Sequence, residues 1–68
     1  MNEQRKTDSS TELRIQAYCL AGIYAAFEGN DAKAAESMRR SLELDQSYLY
    51  ARQALAWLEA GLFKGLQQ

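Results

Sequence analysis

The chain has no histidine, no proline and no valine, and its one cysteine is Cys19. A single thiol cannot form an intrachain disulfide, and without histidine the usual Cys/His zinc sites and the histidine-based catalytic relays are excluded. Only four of the 68 residues are β-branched, against eleven alanines and nine leucines, a composition that favours helices over strands. We therefore predict an all-α fold.

An excess of charge of either sign is also missing, because the formal net charge is −1 and 47% of the residues are hydrophobic. This balance disfavours nucleic-acid or anionic-membrane binding through bulk electrostatics, and it disfavours an acidic disordered chain. A helical DNA-binding module is disfavoured as well, since the third predicted helix carries only Arg52 and Lys64 as cations. We therefore expect a folded protein whose partner is another protein or a second copy of itself.

No long apolar run is present. The longest stretch without a charged or amide side chain, residues 17–27, has eleven residues, far fewer than the roughly 20 that cross a bilayer. The first ten residues are polar and of mixed charge, so no secretory signal is predicted. With one unpaired thiol, these features predict a reducing, cytoplasmic location.

Two breaks divide the chain into three predicted helices, at residues 11–28, 32–44 and 48–66. Residues 1–10 are predicted to be a flexible polar tail, followed by a helical domain over residues 11–66. Ser9 and Glu12 have the spacing of a capping box at the start of the first helix. Gly29 can end that helix in a left-handed conformation, and Asn30 or Asp31 can cap the next one.

The second predicted helix has a charged outer face. Glu36 and Arg40, and likewise Arg39 and Glu43, are opposite charges four residues apart. Such pairs each stabilise an isolated helix by about 0.2–0.5 kcal/mol, so we interpret the two arginines as surface ion pairs and not as a phosphate site.

The spacing between helix starts repeats at about 34 residues, the period of a helix-turn-helix solenoid unit. The positions that fit such a unit are Tyr18, Ala21, Gly22 and Ala25, then Ala34 and Met38, with Gln46 in the place usually held by proline. This pattern resembles the tetratricopeptide repeat (TPR) family over about residues 15–48. The resemblance implies an antiparallel three-helix array, one repeat plus an extra helix, in which Gly22 and Ala34 let the first two helices approach closely.

The third predicted helix has more apolar surface than one contact can cover. Tyr48, Ala51, Leu55, Leu58 and Leu62 form one stripe, and Tyr50, Ala54, Trp57 and Gly61 form a second beside it. One stripe can pack on the other helices, whereas the second, with Phe63 and Leu66, has no evident partner within the chain. The alternative is that Trp57 folds down over a compact three-helix core.

In TPR proteins the first helices of successive units line a concave ligand-binding surface. The resemblance places this surface here at Gln16, Cys19, Ile23, Ala26, Tyr50, Gln53, Trp57 and Ala60. It implies an adaptor or small chaperone that binds an apolar helix or extended segment of a partner protein. The alternative is a structural homo-oligomer that self-associates through the apolar face of the third helix.

We predict no enzymatic activity, no cofactor and no metal site. Cys19 lies in the most apolar segment, where a thiol is usually inert packing. The acidic pairs at helix ends are explained by capping and solvation and lack the ligand spacing of a calcium loop. The four glycines are scattered and form no phosphate-binding loop.

Overall fold

The computed structural model describes residues 9–66 of the chain, and within them it contains helices and no strand. The helices are α1, Ser9–Phe27; α2, Asp31–Leu44; and α3, Leu49–Glu59, followed by a short 3₁₀ helix, Leu62–Leu66. The predicted all-α three-helix fold is therefore confirmed. Residues 1–8 of the predicted tail lie outside the described residues, while Ser9 and Ser10 are the first residues of α1 and not part of a tail.

The turn between α1 and α2 forms as its sequence predicts. Gly29 has a φ of 87°, and its amide donates to the Ala26 carbonyl at 3.1 Å while the Asn30 amide donates to the Ala25 carbonyl at 2.9 Å. These two bonds satisfy carbonyls that the end of α1 would otherwise leave unpaired. The Asn30 side chain then accepts a hydrogen bond from the Lys33 amide at 3.3 Å, so Asn30 is the N-cap of α2.

The second turn is organised by an aspartate. Asp45 Oδ1 accepts two hydrogen bonds from Ser47, one from the amide at 3.0 Å and one from the hydroxyl at 2.7 Å. The Tyr48 amide also donates to the Asp45 carbonyl at 3.1 Å. An aspartate that binds the backbone two residues ahead favours a turn over continued helix, which explains why α2 stops here.

The predicted third helix is too long, because α3 ends at Glu59 and not at residue 66. Gly61 has a φ of 76°, a left-handed conformation that a helix cannot continue through. The chain turns back there, and the 3₁₀ helix brings Phe63 into the core, where its side chain is 5% exposed. The prediction that Phe63 lacks a partner within the chain is therefore wrong.

The packing of α1 on α2 is close and uses small residues. A Cβ atom on Gly22 would lie 2.7 Å from Met38 Cγ and 3.0 Å from the Ala34 carbonyl oxygen, so the predicted close approach is present. The fully buried Ser41 hydroxyl also donates to the Ile15 carbonyl at 2.8 Å, which links the two helices through a hydrogen bond. The core is built on these contacts and contains few large side chains.

Ion pairs occur on the outside. Arg40 lies 3.7 Å from Glu36 on the exposed face of α2, as the surface-pair interpretation expects. Lys64 lies 3.9 Å from Asp31 and connects the 3₁₀ helix to the start of α2. Exposed pairs of this kind contribute less than about 1 kcal/mol each.

The third helix packs mainly against α2 and touches α1 less. Since α2 lies against both other helices while α1 and α3 make few contacts, a groove opens between α1 and α3. Within residues 9–66, no helix is both long enough and apolar enough to span a membrane.

Candidate functional site

The groove between α1 and α3 is apolar and has a volume of about 280 Å³. Its walls come from both helices and its end from the 3₁₀ helix. The lining residues are Ile23, Phe27, Tyr50, Gln53, Ala54, Trp57 and Phe63. Gln53 is the one amide side chain in this set, and Tyr50 and Trp57 each add a single hydrogen-bonding group to an otherwise apolar ring.

Three aromatic rings close one end of the groove. Phe63 lies edge-to-face against Phe27, with ring centroids 5.5 Å apart, and against Trp57, with centroids 5.8 Å apart. Aromatic pairs in this geometry add about 0.5–1.5 kcal/mol beyond their buried area. Phe63 is buried and therefore supports Trp57, which is 39% exposed and presents its remaining surface to the groove.

The groove continues toward the start of α1. A second part, with a volume of about 260 Å³, shares Ile23 and Tyr50 with the first and is lined otherwise by Gln16, Cys19, Leu20 and Tyr48. The rings of Tyr48 and Tyr50 pack edge-to-face at 5.6 Å. A third part of about 310 Å³ carries the carboxylates Glu12 and Asp45, so the groove becomes polar at this end.

The structure brings together six of the eight residues that the resemblance implies for partner binding. They are Gln16, Cys19, Ile23, Tyr50, Gln53 and Trp57. Ala26 is a correction, since its side chain is fully buried against α2 and has no surface to offer a partner. Ala60 is exposed but lies in the turn after α3 and lines neither apolar part of the groove.

Cys19 forms part of the groove floor and is 3% exposed. Burial raises the pKa of the Cys19 thiol, because desolvation disfavours the thiolate. The thiol is therefore protonated at neutral pH and presents a neutral surface. Burial likewise raises the pKa of the Tyr48 hydroxyl, with a smaller contribution from the negative charge of a Cys19 thiolate.

Five residues line the groove that were not predicted to bind a partner: Leu20, Phe27, Tyr48, Ala54 and Phe63. The signal for Phe63 was Gly61, which is followed by a short apolar segment and can reverse the chain. Surplus apolar surface was predicted on the third helix alone, whereas α1 also exposes large apolar side chains on its outer side.

Comparisons with protein-family models, with curated proteins and with solved structures give no match for this chain. Among residues 9–66, no three acidic, cysteine or histidine side chains are grouped so that they could hold a metal ion.

Proposed function

We propose that this chain is a protein-interaction module, an adaptor or small chaperone without catalytic activity, whose α1–α3 groove holds an apolar segment of a partner protein. The observation that carries the proposal is the groove itself, an open apolar cleft with Tyr50 and Trp57 exposed along one wall. The unpaired thiol of Cys19 favours a reducing compartment, so we place this activity in the cytoplasm.

The size and chemistry of the groove fit side chains of a peptide. Each apolar part is close to the lower limit of about 300 Å³ for ligand pockets, which suits one or two apolar side chains in each. Trp and Tyr are the residues that most often dominate binding energy at interfaces. No lysine or arginine lines either apolar part, so a partner's C-terminal carboxylate has no cation to bind there.

The TPR resemblance supports the same location. In that family the first helices of successive units form the ligand-binding surface, and α1 and α3 are the corresponding helices here. The close contact of Gly22 with the Ala34 carbonyl and Met38 is what the resemblance implies between the two helices of a unit.

A second candidate function is self-assembly through the apolar face of α3. Two large side chains on this helix favour it, since Leu49 is 72% and Tyr50 73% exposed. Burying such side chains against a symmetry mate would contribute about 25 cal/mol for each Å² of apolar surface.

The test selects peptides from a phage-displayed library on the immobilised chain and measures the best synthetic peptide by calorimetry. Trp57→Ala should raise Kd by at least about 30-fold, equivalent to about 2 kcal/mol, because the aromatic anchor is lost. Leu49→Ala is the control, since this exposed leucine lies outside the groove lining and its loss should leave Kd unchanged.

An unchanged Kd in a folded Trp57→Ala variant would contradict the groove as the binding site. Sedimentation equilibrium distinguishes self-assembly, the second candidate function, from binding of a partner protein. If the chain self-associates through α3, Leu49→Asp and Tyr50→Asp should abolish the larger species by placing a charge on that face.

A further inference from the structure

The outer side of α1 carries a second apolar surface, opposite the face that packs on α2. It consists of side chains on one line of the helix, which we call the α1 stripe: Leu13, Ala17, Leu20, Tyr24 and Phe27. Leu20 and Phe27 lie on the groove side of this line and also line the groove. At 3.6 residues per turn these positions fall within about 80° of one another and extend over about 21 Å. A helix that is apolar on two opposite sides is expected where both sides are covered.

The spacing along the stripe indicates that a helix covers it. Leu13, Leu20 and Phe27 are seven residues apart, and so are Ala17 and Tyr24. This interval keeps apolar side chains on one seam when two helices wind around each other. Leu13 is 65%, Leu20 53%, Tyr24 66% and Phe27 43% exposed, so the seam is open along its full length.

The stripe is complementary to the stripe of a second copy that runs antiparallel to it, with Leu20 at the centre of the pair. In an antiparallel pair Leu13 lies opposite Phe27 of the second copy, and the two Leu20 side chains meet at the two-fold axis. The small Ala17 then lies opposite the large Tyr24, so the volumes alternate as interdigitating helices require. A two-fold interface is formed by the same patch on both subunits, which is what this symmetry provides.

The charges beside the stripe favour the same arrangement. Arg14 and Glu28 lie on one flank of α1 at opposite ends of the stripe, and the Glu28 amide continues the helical bonding to the Tyr24 carbonyl at 3.0 Å. In an antiparallel two-fold pair the same flanks meet, so Arg14 of each copy lies beside Glu28 of the other. In a parallel pair these flanks point apart and neither ion pair can form.

We propose that the α1 stripe is a homodimer interface, in which two copies of this chain pair antiparallel about an axis at Leu20. The interface is formed by α1 and not by α3. It shares Leu20 and Phe27 with the groove and adds self-association to the proposed partner binding. The four large side chains expose on the order of 450 Å² in each copy. With the flanking residues, the pair reaches the lower end of interface sizes, which is typical of weak or transient association.

The first test is sedimentation equilibrium of the full chain between about 1 μM and 1 mM. The expected mass rises from the 7.7 kDa of one chain to twice that value. Leu20→Asp should abolish the dimer, because two carboxylates would face each other at the axis. Leu62→Asp is the matched control, since Leu62 is 51% exposed on the 3₁₀ helix and should leave the dimer intact. A wild-type monomer throughout this range, or a dimer that survives Leu20→Asp, overturns the proposal.

The second test examines the orientation of the pair. Arg14→Glu and Glu28→Arg should each weaken the dimer by about tenfold, because each places like charges together. The doubly substituted chain restores opposite charges and should recover the wild-type affinity, with circular dichroism confirming that every variant is helical. A double variant that stays as weak as the single ones overturns the antiparallel arrangement.

Discussion

Gly22→Ala tests whether the contact of α1 with α2 determines the stability of the fold. The added Cβ would lie 2.7 Å from Met38 Cγ, 3.0 Å from the Ala34 carbonyl oxygen and 3.3 Å from the Met38 amide nitrogen. Two of these three atoms belong to the backbone of α2 and cannot rotate away. Met38 is fully buried, and protein interiors leave few voids into which a side chain can move. The two helices must therefore move apart.

The expected change in the free energy of unfolding is the difference between a gain in helix propensity and a loss from overpacking. Alanine in a helix interior is about 1 kcal/mol better than glycine, whereas overpacking a tight contact costs about 1–3 kcal/mol. Separation also stretches the hydrogen bond between the Ser41 hydroxyl and the Ile15 carbonyl. We expect a net loss of about 1 kcal/mol in the free energy of unfolding, and about 4–8 °C in Tm for a domain of this size.

Thermal and urea unfolding followed by circular dichroism measure this loss. Gly65→Ala is the control, because a Cβ at Gly65 has no atom within 4 Å and Gly65 has no positive φ. This substitution should be neutral or slightly stabilising. If Gly22→Ala is as stable as the wild type or more so, the close helix approach described here is wrong.

Three further predictions concern the core. Ser41→Ala should lower the free energy of unfolding by about 1 kcal/mol through loss of its bond to Ile15, while Ser37→Ala on the half-buried side of α2 should not, as measured in urea. Phe63→Ala should cost about 3 kcal/mol and shift the fluorescence of the single tryptophan to longer wavelength, because that ring loses its neighbour. The pKa of the Cys19 thiol is raised in the folded state, so the unfolded chain ionises at lower pH than the folded one. The stability that the neutral thiol contributes is therefore complete below the unfolded-state pKa and is lost as pH rises through the folded-state pKa. The wild type should therefore lose stability relative to Cys19→Ala above about pH 8.5, and a constant difference between the two would contradict this reasoning.

Local signals in the sequence predict much of the fold. Gly29 and Asn30 determine the first turn because one residue tolerates a left-handed backbone and the next caps a helix, and both act within a few residues. The spacing of Gly22 and Ala34 likewise indicates a contact that depends on the absence of side-chain volume. Turn and cap preferences, and the small side chains that allow a close helix contact, can be inferred from the sequence alone.

The position of the last segment could not be inferred in the same way. The apolar periodicity of the third helix continues past Gly61, so the pattern alone favours one long helix over a helix, a turn and a 3₁₀ helix. The position of this segment depends on the burial of Phe63 against Phe27, a contact between residues far apart in the chain. Tertiary packing of this kind is not visible in a local pattern.

The exposed side of α1 was missed for a different reason. A sequence pattern identifies the buried face of a helix when the opposite face is polar. In α1 apolar residues occur on most of the surface, so the pattern does not show which face is buried. Which of its sides α2 covers depends on Gly22 and the close contact there. Leu20 and Tyr24 could therefore be placed outside only once that contact was known.

The most direct test of the groove as a binding site is a map of amide chemical shifts in ¹⁵N-labelled protein titrated with the selected peptide. We predict the largest changes at Ile23, Tyr50, Trp57 and Phe63, together with the indole N–H signal of Trp57. Changes confined to the outer face of α2 around Arg39, or to Leu13, Ala17 and Tyr24 of the α1 stripe, would contradict the account.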